Sequence, residues 1–517
     1  MMKISKKVLA FCSTLLLTLS LSAIEIKARL MPQYVFAPQT PYDSIFGASI
    51  SLDFDLFTIR KRDSIYLSAQ GTPSLIITKG IDPFWIFDAE LAAGYNFRIS
   101  DRFGIGAEGL FGLWGMPENK NLRTSAVSGL SFGGRLYGDY HLRPDITASV
   151  FAAYKNYFYK PKPFMNRIEA GLGLTYNFSK GLFGQSAVKV TSFEVEPIFP
   201  IFYSRYDSNA FGTVYFQNTE RNDITDVEVS VLIEQFMTNP KVVASYDRVK
   251  LGEEFEASLT AFLNEGILSQ LQNQLSTAQI KVTYKSLGKR SEYIENISLQ
   301  TLTRNSMSWT DDRRAAAFIS SRDGAVQRFA RQISLALKDR VGANPNNLYA
   351  SSVFAVLKAY GINYVVDPSS AFTDNIGTAS VDFLQFPYQT LLYHGGDCDD
   401  LTILNCALLE ALGVNTAIIT IPGHIYMAYD SGYSLSEADS KLGRRAYIAQ
   451  DDKAWVPVEI TVSQDTYSLA LQLGMKQWNK YPEERLLIPL YKAWEEYKPV
   501  SLPDSDVSLD FPKNALK

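Results

Sequence analysis

The chain has 517 residues, enough for several domains, and a formal net charge of −4 with both signs mixed throughout. No basic tail or stripe is present, which argues against a nucleic-acid partner. Three cysteines and three histidines show no ligand-like spacing, so neither a metal nor a cofactor is expected.

Residues 1–23 begin with Lys3, Lys6 and Lys7, run apolar from Val8 to Leu21, and close on Ser22 and Ala23. This is the pattern of a secretory signal peptide. Cys12 lies inside the apolar run instead of closing it, so it is expected to leave with the peptide and to carry no lipid. Export into a non-reducing compartment, with few cysteines and no workable disulfide, fits a bacterial envelope protein.

From residue 24 to 180 the pattern alternates with period two. Eight segments show it, near 24–37, 46–59, 64–77, 86–99, 103–116, 126–142, 146–159 and 167–179. In the last, Ile168, Ala170, Leu172, Leu174, Tyr176 and Phe178 share one face. Most segments exceed the usual strand of about 5–6 residues and suffice for a tilted membrane-spanning strand of about 9–11. Tight turns (Arg60 to Asp63, Ser100 to Arg102, Leu142 to Asp145) alternate with longer loops such as Pro117 to Asn121. The segment resembles the small eight-stranded outer-membrane proteins, and outer-membrane lipid is its expected partner. Tyr95, Phe97, Tyr176 and Phe178 are girdle candidates. Asp53, Asp55, Asp88, Glu90, Arg98, Glu108, Arg135, Asp139 and Glu169 are expected to fill the lumen as an ion-paired plug, making an anchor and not an open pore. A soluble antiparallel sandwich would also alternate, but strand length and the Tyr-Asn-Phe endings favour lipid. An even strand number returns the chain to its starting side, so everything past residue 180 is expected in the periplasm.

Residues 188–305 read as about seven ordinary strands separated by Asn, Asp, Gly and Pro, with a short helical crossover near Gly266 to Gln274. An immunoglobulin-like β-sandwich is expected, serving as spacer or docking module. Residues 310–360 turn helical: one helix from Asp311 to about Val341, a second after Pro345 ending at Gly361. An amphipathic helix is expected over Pro482 to Tyr497, and 501–517 as a loose tail.

Between them lies Gly395-Gly396-Asp397-Cys398-Asp399-Asp400, heading a helix whose Leu401, Leu404, Leu408 and Leu412 recur at helical spacing before Gly413. A thiol at a helix start is expected to have a lowered pKa. Two glycines before it let another backbone approach. The run Ala417 to Ile421, the Pro422-Gly423 turn and His424 follow, and then a strand, Ile425 to Tyr429. A helix-borne cysteine facing a strand-borne histidine is the arrangement of a nucleophile pair.

G-D-C-D-D-L at Cys398, P-G-H at His424 and the segment Trp455-Val456-Pro457-Val458-Glu459-Ile460-Thr461 resemble the transglutaminase-like superfamily of papain-fold cysteine enzymes, over roughly residues 345–462. The resemblance implies an α+β domain over 310–500 with a triad of Cys398, His424 and Glu459, where the family has Asp in the third place. It also implies an oxyanion donor upstream, for which Gln385 and Gln389 are the candidates. Cys406 is expected to be a buried hydrophobe, His394 the weaker rival base, and Asp451 and Asp452 the rival acids. The expected activity is attack of Cys398 on a peptide or protein amide, including cell-wall peptides, with hydrolysis favoured over acyl transfer. The alternative is a non-catalytic envelope protein that grips such a partner.

Overall fold

A computed structural model describes residues 25–38, 40, 42–57, 62–119, 125–160, 162–180, 188–340, 342, 344–366, 381–512 and 515–516. The expected signal peptide with Cys12, the first two residues of the turn at Arg60, and the loop beyond Asn119 lie outside these residues.

The eight expected strands form: β1 (Glu25–Phe36), β2 (Ser44–Phe57), β3 (Asp63–Thr78), β4 (Ile81–Arg98), β5 (Phe103–Met116), β6 (Val127–Arg143), β7 (Ile146–Tyr159) and β8 (Lys162–Asn177). Each pairs antiparallel with the next, and β8 returns to β1 through Leu30↔Leu174, closing a barrel with no free edge. Alternation is inverted relative to a water-soluble barrel. Leu91, Phe111, Leu136 and Leu172 stand exposed on the outside, while Asp53, Asp88, Glu90, Arg135, Lys155, Arg167 and Glu169 are buried inside.

The lumen is filled by paired charges and rings. Arg29 reaches Asp53 (2.6 Å) and Glu108 (3.4 Å), and Arg135 also pairs with Glu108. Lys155 lies between Glu90 (2.8 Å) and Glu169 (3.3 Å). Tyr66 donates to Glu108 (2.6 Å) and meets the Tyr137 hydroxyl at 2.9 Å. These rings need glycine opposite: a Cβ on Gly94 or Gly106 would sit 2.2 Å from Tyr66 or Tyr137 respectively.

The next unit has seven strands: β9 (Val188–Val195), β10 (Gly212–Asn218), β11 (Ile224–Leu232), β12 (Lys241–Val249), β13 (Glu254–Ser258), β14 (Gln274–Ser286) and β15 (Lys289–Thr301). They make two antiparallel sheets, ordered β13-β10-β9 and β12-β11-β14-β15. The expected crossover is a single 3-10 turn, Glu265–Ser269, capped by Asn264. The turn after β10 enters the barrel mouth. Arg221 donates to Asp55 (3.1 Å) and approaches Glu25 (3.8 Å), and Glu220 pairs with Lys180 (3.5 Å).

The C-terminal unit begins slightly before residue 310, because Ser306–Ser308 pairs with Val381–Phe383. Its sheet has five antiparallel strands in the order Ile448–Gln450, Lys453–Val458, His424–Asp430, Thr416–Ile421, Leu486–Pro489. The Cys398–Ala411 helix packs on this sheet and is buried from Cys398 to Leu409, so it is enclosed by the domain.

Three expectations are corrected. The single helix from Asp311 is a 3-10 turn (Asp312–Phe318) and a helix (Gly324–Leu337), separated at Asp323, whose buried carboxylate accepts from Ser501 (2.8 Å). The helix over Pro482 to Tyr497 is instead an edge strand, Leu486–Pro489, and one turn, Leu490–Ala493, since Pro489 has no N–H for a helix interior. The tail is docked rather than loose: Leu502 is buried and Asp504 pairs with Arg304 at 2.7 Å.

Lys155→Met should leave Glu90 and Glu169 buried without the ammonium that lies between them. The loss of about 3–5 kcal/mol expected for an uncompensated buried charge should appear as barrel unfolding at a clearly lower temperature in a heat-modifiability gel. Unchanged unfolding would show that the lumen charges are not stabilised by pairing.

Candidate functional site

Cys398 opens its helix behind the N-cap Asp397, whose carboxylate accepts from Asp400 N at 3.4 Å. Both preceding glycines are structurally required. A Cβ on Gly395 would meet Asn363 O at 2.9 Å, and one on Gly396 would meet Asp400 Cβ at 2.5 Å. The close neighbour at Gly395 is a short parallel strand, Asn363–Tyr364, followed by Val365 N donating to Gly396 O (2.9 Å). The thiol is 5% exposed and shifted opposite to the expected direction. Burial, then the Asp397 charge, push it up to about 12, against backbone N–H groups of Ile425, Cys398 and Asp399 that stabilise the thiolate. Desolvation therefore outweighs the helix dipole, and the resting group is a neutral thiol.

His424 begins its strand, and Glu459 lies one residue beyond the paired position Val458↔Met427. The two meet: His424 Nε2 to Glu459 Oε2 is 2.8 Å. Glu459 Oε2 also accepts from Gln477 Nε2 (2.9 Å), and Oε1 accepts from Thr461 N (3.1 Å) and Thr461 Oγ1 (2.6 Å). Burial would raise the Glu459 pKa, but the His424 hydrogen bond and charge, with those from Thr461, hold it below its usual value. A carboxylate only accepts, so the proton of a neutral His424 belongs on Nε2 and Nδ1 carries the free lone pair. The thiol lies against the N–H of Ile425, the residue next to His424.

The rivals are placed elsewhere. His394 is exposed, stacks on Tyr360 and contacts Tyr360 O at 3.1 Å. Asp451 and Asp452 form a left-handed hairpin turn, and Asp451 pairs with Lys492 (2.6 Å). Cys406 is fully buried, and both described cysteines are free. Neither glutamine is aimed as expected. Gln385 Nε2 is held by Asp400 Oδ2 (2.6 Å), and Gln389 Oε1 accepts from Asn305 (2.7 Å) and Phe386 N (2.8 Å), capping its own helix.

Sequence reasoning missed Gln477, which comes from the Tyr467–Lys480 helix with no motif around it, and the proximity of Asp397, Asp399 and Asp400. These three carboxylates lie with oxygens within 4.8 Å of one another. Burial and the mutual charge push Asp400 up to about 7 and Asp399 well above its usual value. An all-oxygen set of this kind has the donors a hard divalent cation takes.

No protein-family model matches the chain, and no curated protein matches it. Among solved structures it is similar to Neisserial surface protein A (11% identity, 30% of this chain and 97% of that one, TM-score 0.24). It is also similar to Ail of Yersinia pestis (14%, 30% and 97%, 0.22) and the N-terminal barrel domain of Pseudomonas aeruginosa OprF (11%, 29% and 97%, 0.20). At these scores the likeness bears on no residue of the site.

Near the far end of the cysteine helix, Glu410 accepts from Thr416 N (2.6 Å) and Oγ1 (2.8 Å), and burial raises its pKa from 4.5 to about 7. The folded state then binds the proton more tightly than the unfolded one. Stability from this group is full below about pH 4.5 and lost as pH rises to about 7. Hydrogen exchange in the Thr416–Ile421 strand should accelerate from pH 5 to pH 8 beyond its intrinsic pH dependence, and Glu410→Gln should remove much of that excess. A variant with the same excess would exclude Glu410 as its source.

Proposed function

We propose that the chain is an outer-membrane-anchored cysteine enzyme, its arm in the periplasm, acting on amide bonds of proteins or cell-wall peptides. The observation that carries this is the His424–Glu459 pair beside a helix-leading cysteine. Glu459 holds Nε2, which leaves Nδ1 as the base for the neighbouring thiol. Cys398 attacks the carbonyl carbon while its proton passes to His424 Nδ1. The tetrahedral species collapses with loss of the amine, which takes that proton, and water then releases the acid from the thioester. Because the resting thiol is neutral, proton transfer accompanies attack instead of preceding it.

Three features support the wider reading. The exposed apolar exterior and charged lumen of a closed eight-stranded barrel suit lipid outside and a plug inside. The chain leaves β8 at the end where β1 begins, and Arg221 and Glu220 seat the next unit there, which fits an arm on the periplasmic side. The strand orders β13-β10-β9 and β12-β11-β14-β15 support an immunoglobulin-like sandwich, and the helix-on-sheet layout around Cys398 supports a transglutaminase-like, papain-type domain. The second reading, a non-catalytic grip on a periplasmic partner, is favoured by the buried, protonated thiol.

Cys398→Ser should abolish hydrolysis of protein substrate or isolated cell-wall peptides, with the fold intact by circular dichroism, whereas Cys406→Ser should lose stability and keep activity. Glu459→Gln keeps the shape but not the charge and should lower turnover by about 10⁴-fold, as loss of a triad acid does. Glu459→Asp should retain a measurable fraction. Turnover in the wild type no greater than in Cys398→Ser would leave the binding reading.

On intact cells, an epitope tag placed at the C-terminus should be inaccessible to antibody and become accessible once the outer membrane is permeabilised. Labelling of unbroken cells would refute the periplasmic arm.

A further inference from the structure

With Gln385 and Gln389 engaged in the scaffold, the candidate site lacks its expected side-chain oxyanion donor. The parallel pair Tyr364↔Gly396 sets Tyr364 beside the backbone two residues before Cys398. Gly395 can take no side chain there because Asn363 O and Val365 Cγ2 stand 2.9 and 3.0 Å from its Cβ position, so this segment is held tightly against the nucleophile loop. Tyr364 is 42% exposed, so a substrate arriving from solvent can reach it. Burial, then the charges of Cys398, Asp397 and Glu459, raise its hydroxyl pKa. The hydroxyl thus lies within range of the charges of both the nucleophile and the triad acid, and the upward shift keeps it an O–H donor at neutral pH.

Resting on the cysteine-enzyme reading, we propose that Tyr364 is a catalytic residue whose phenol donates the oxyanion hydrogen bond, alongside the backbone N–H of Cys398. As the sulfur–carbon bond forms, the carbonyl π electrons move onto oxygen. Tyr364 O–H stabilises that charge without releasing its proton, and the hydrogen bond relaxes when the C=O reforms and the leaving group departs. An exposed position and a single missing hydroxyl make Tyr364→Phe a mild change for the fold.

Two probes of the full-length protein in detergent separate the roles. Acylation of Cys398 by a p-nitrophenyl ester passes through an oxyanion, whereas alkylation by iodoacetamide is a direct displacement with none. Tyr364→Phe should slow the p-nitrophenolate burst by about 10²-fold, the scale of losing one oxyanion donor, and leave iodoacetamide labelling within about twofold. A burst as fast as wild type, or an equal fall in both reactions, overturns the role of Tyr364 while the cysteine-enzyme reading stands. If wild type shows no Cys398-dependent burst, judged against Cys398→Ser, that reading falls and the Tyr364 role with it.

Discussion

The carboxylate of Glu459 accepts from four donors on three residues, and the chemistry of the site follows from that. Three of them, Thr461 N, Thr461 Oγ1 and Gln477 Nε2, hold it oriented, and His424 together with the two Thr461 bonds keeps it ionised although it is buried. Held so, it can accept only the Nε2 proton of His424, which leaves Nδ1 basic. A glutamate has one more rotatable bond than an aspartate. The Gln477 and Thr461 contacts remove that freedom and fix the carboxylate against His424 Nε2. Opposed to this, burial and Asp397 keep the Cys398 thiol neutral at rest. The site thus stores its proton on sulfur and its base on His424.

The barrel imposes a second constraint. An apolar exterior with a closed ring of strands leaves no edge unsatisfied in lipid, and the charges that alternation turns inward must then pair with one another. They do so through Arg29, Glu108 and Arg135 in one group and Glu90, Lys155 and Glu169 in another. Eight strands bring both ends of the barrel sequence to one rim. There Arg221 is inserted between Asp55 and Glu25, so the arm is seated on the rim by ionic contacts as well as by the chain.

The barrel was legible because lipid-facing alternation is a local signal: every strand centre was placed, and errors were confined to ends such as Ile81 and Lys162. The order Cys398, His424, Glu459 was legible as a motif, and two of the three are in direct contact. What failed depended on distant partners. Pro482 to Tyr497 has helical periodicity, yet its first part completes a sheet edge against Thr416–Ile421. Gln385 and Gln389 have the right residue type upstream of the cysteine, but Asp400 and Asn305 occupy them. Gln477 and Tyr364 reach the site from a helix and a two-residue strand whose sequences carry no mark of it. The direction of the Cys398 shift was missed because a helix start is visible in sequence and desolvation is not.

The central claim is that His424 is the base for a thiol that does not ionise by itself. The pH profile of iodoacetamide alkylation at Cys398, measured by intact mass from pH 5 to 9 in the full-length protein and its His424→Ala variant, tests it directly. The account predicts appreciable wild-type labelling at neutral pH, because His424 takes the thiol proton as the sulfur attacks. In His424→Ala labelling should be slow at neutral pH and climb only towards alkaline pH, where the raised thiol ionises by itself. Superimposable profiles for the two proteins would contradict it.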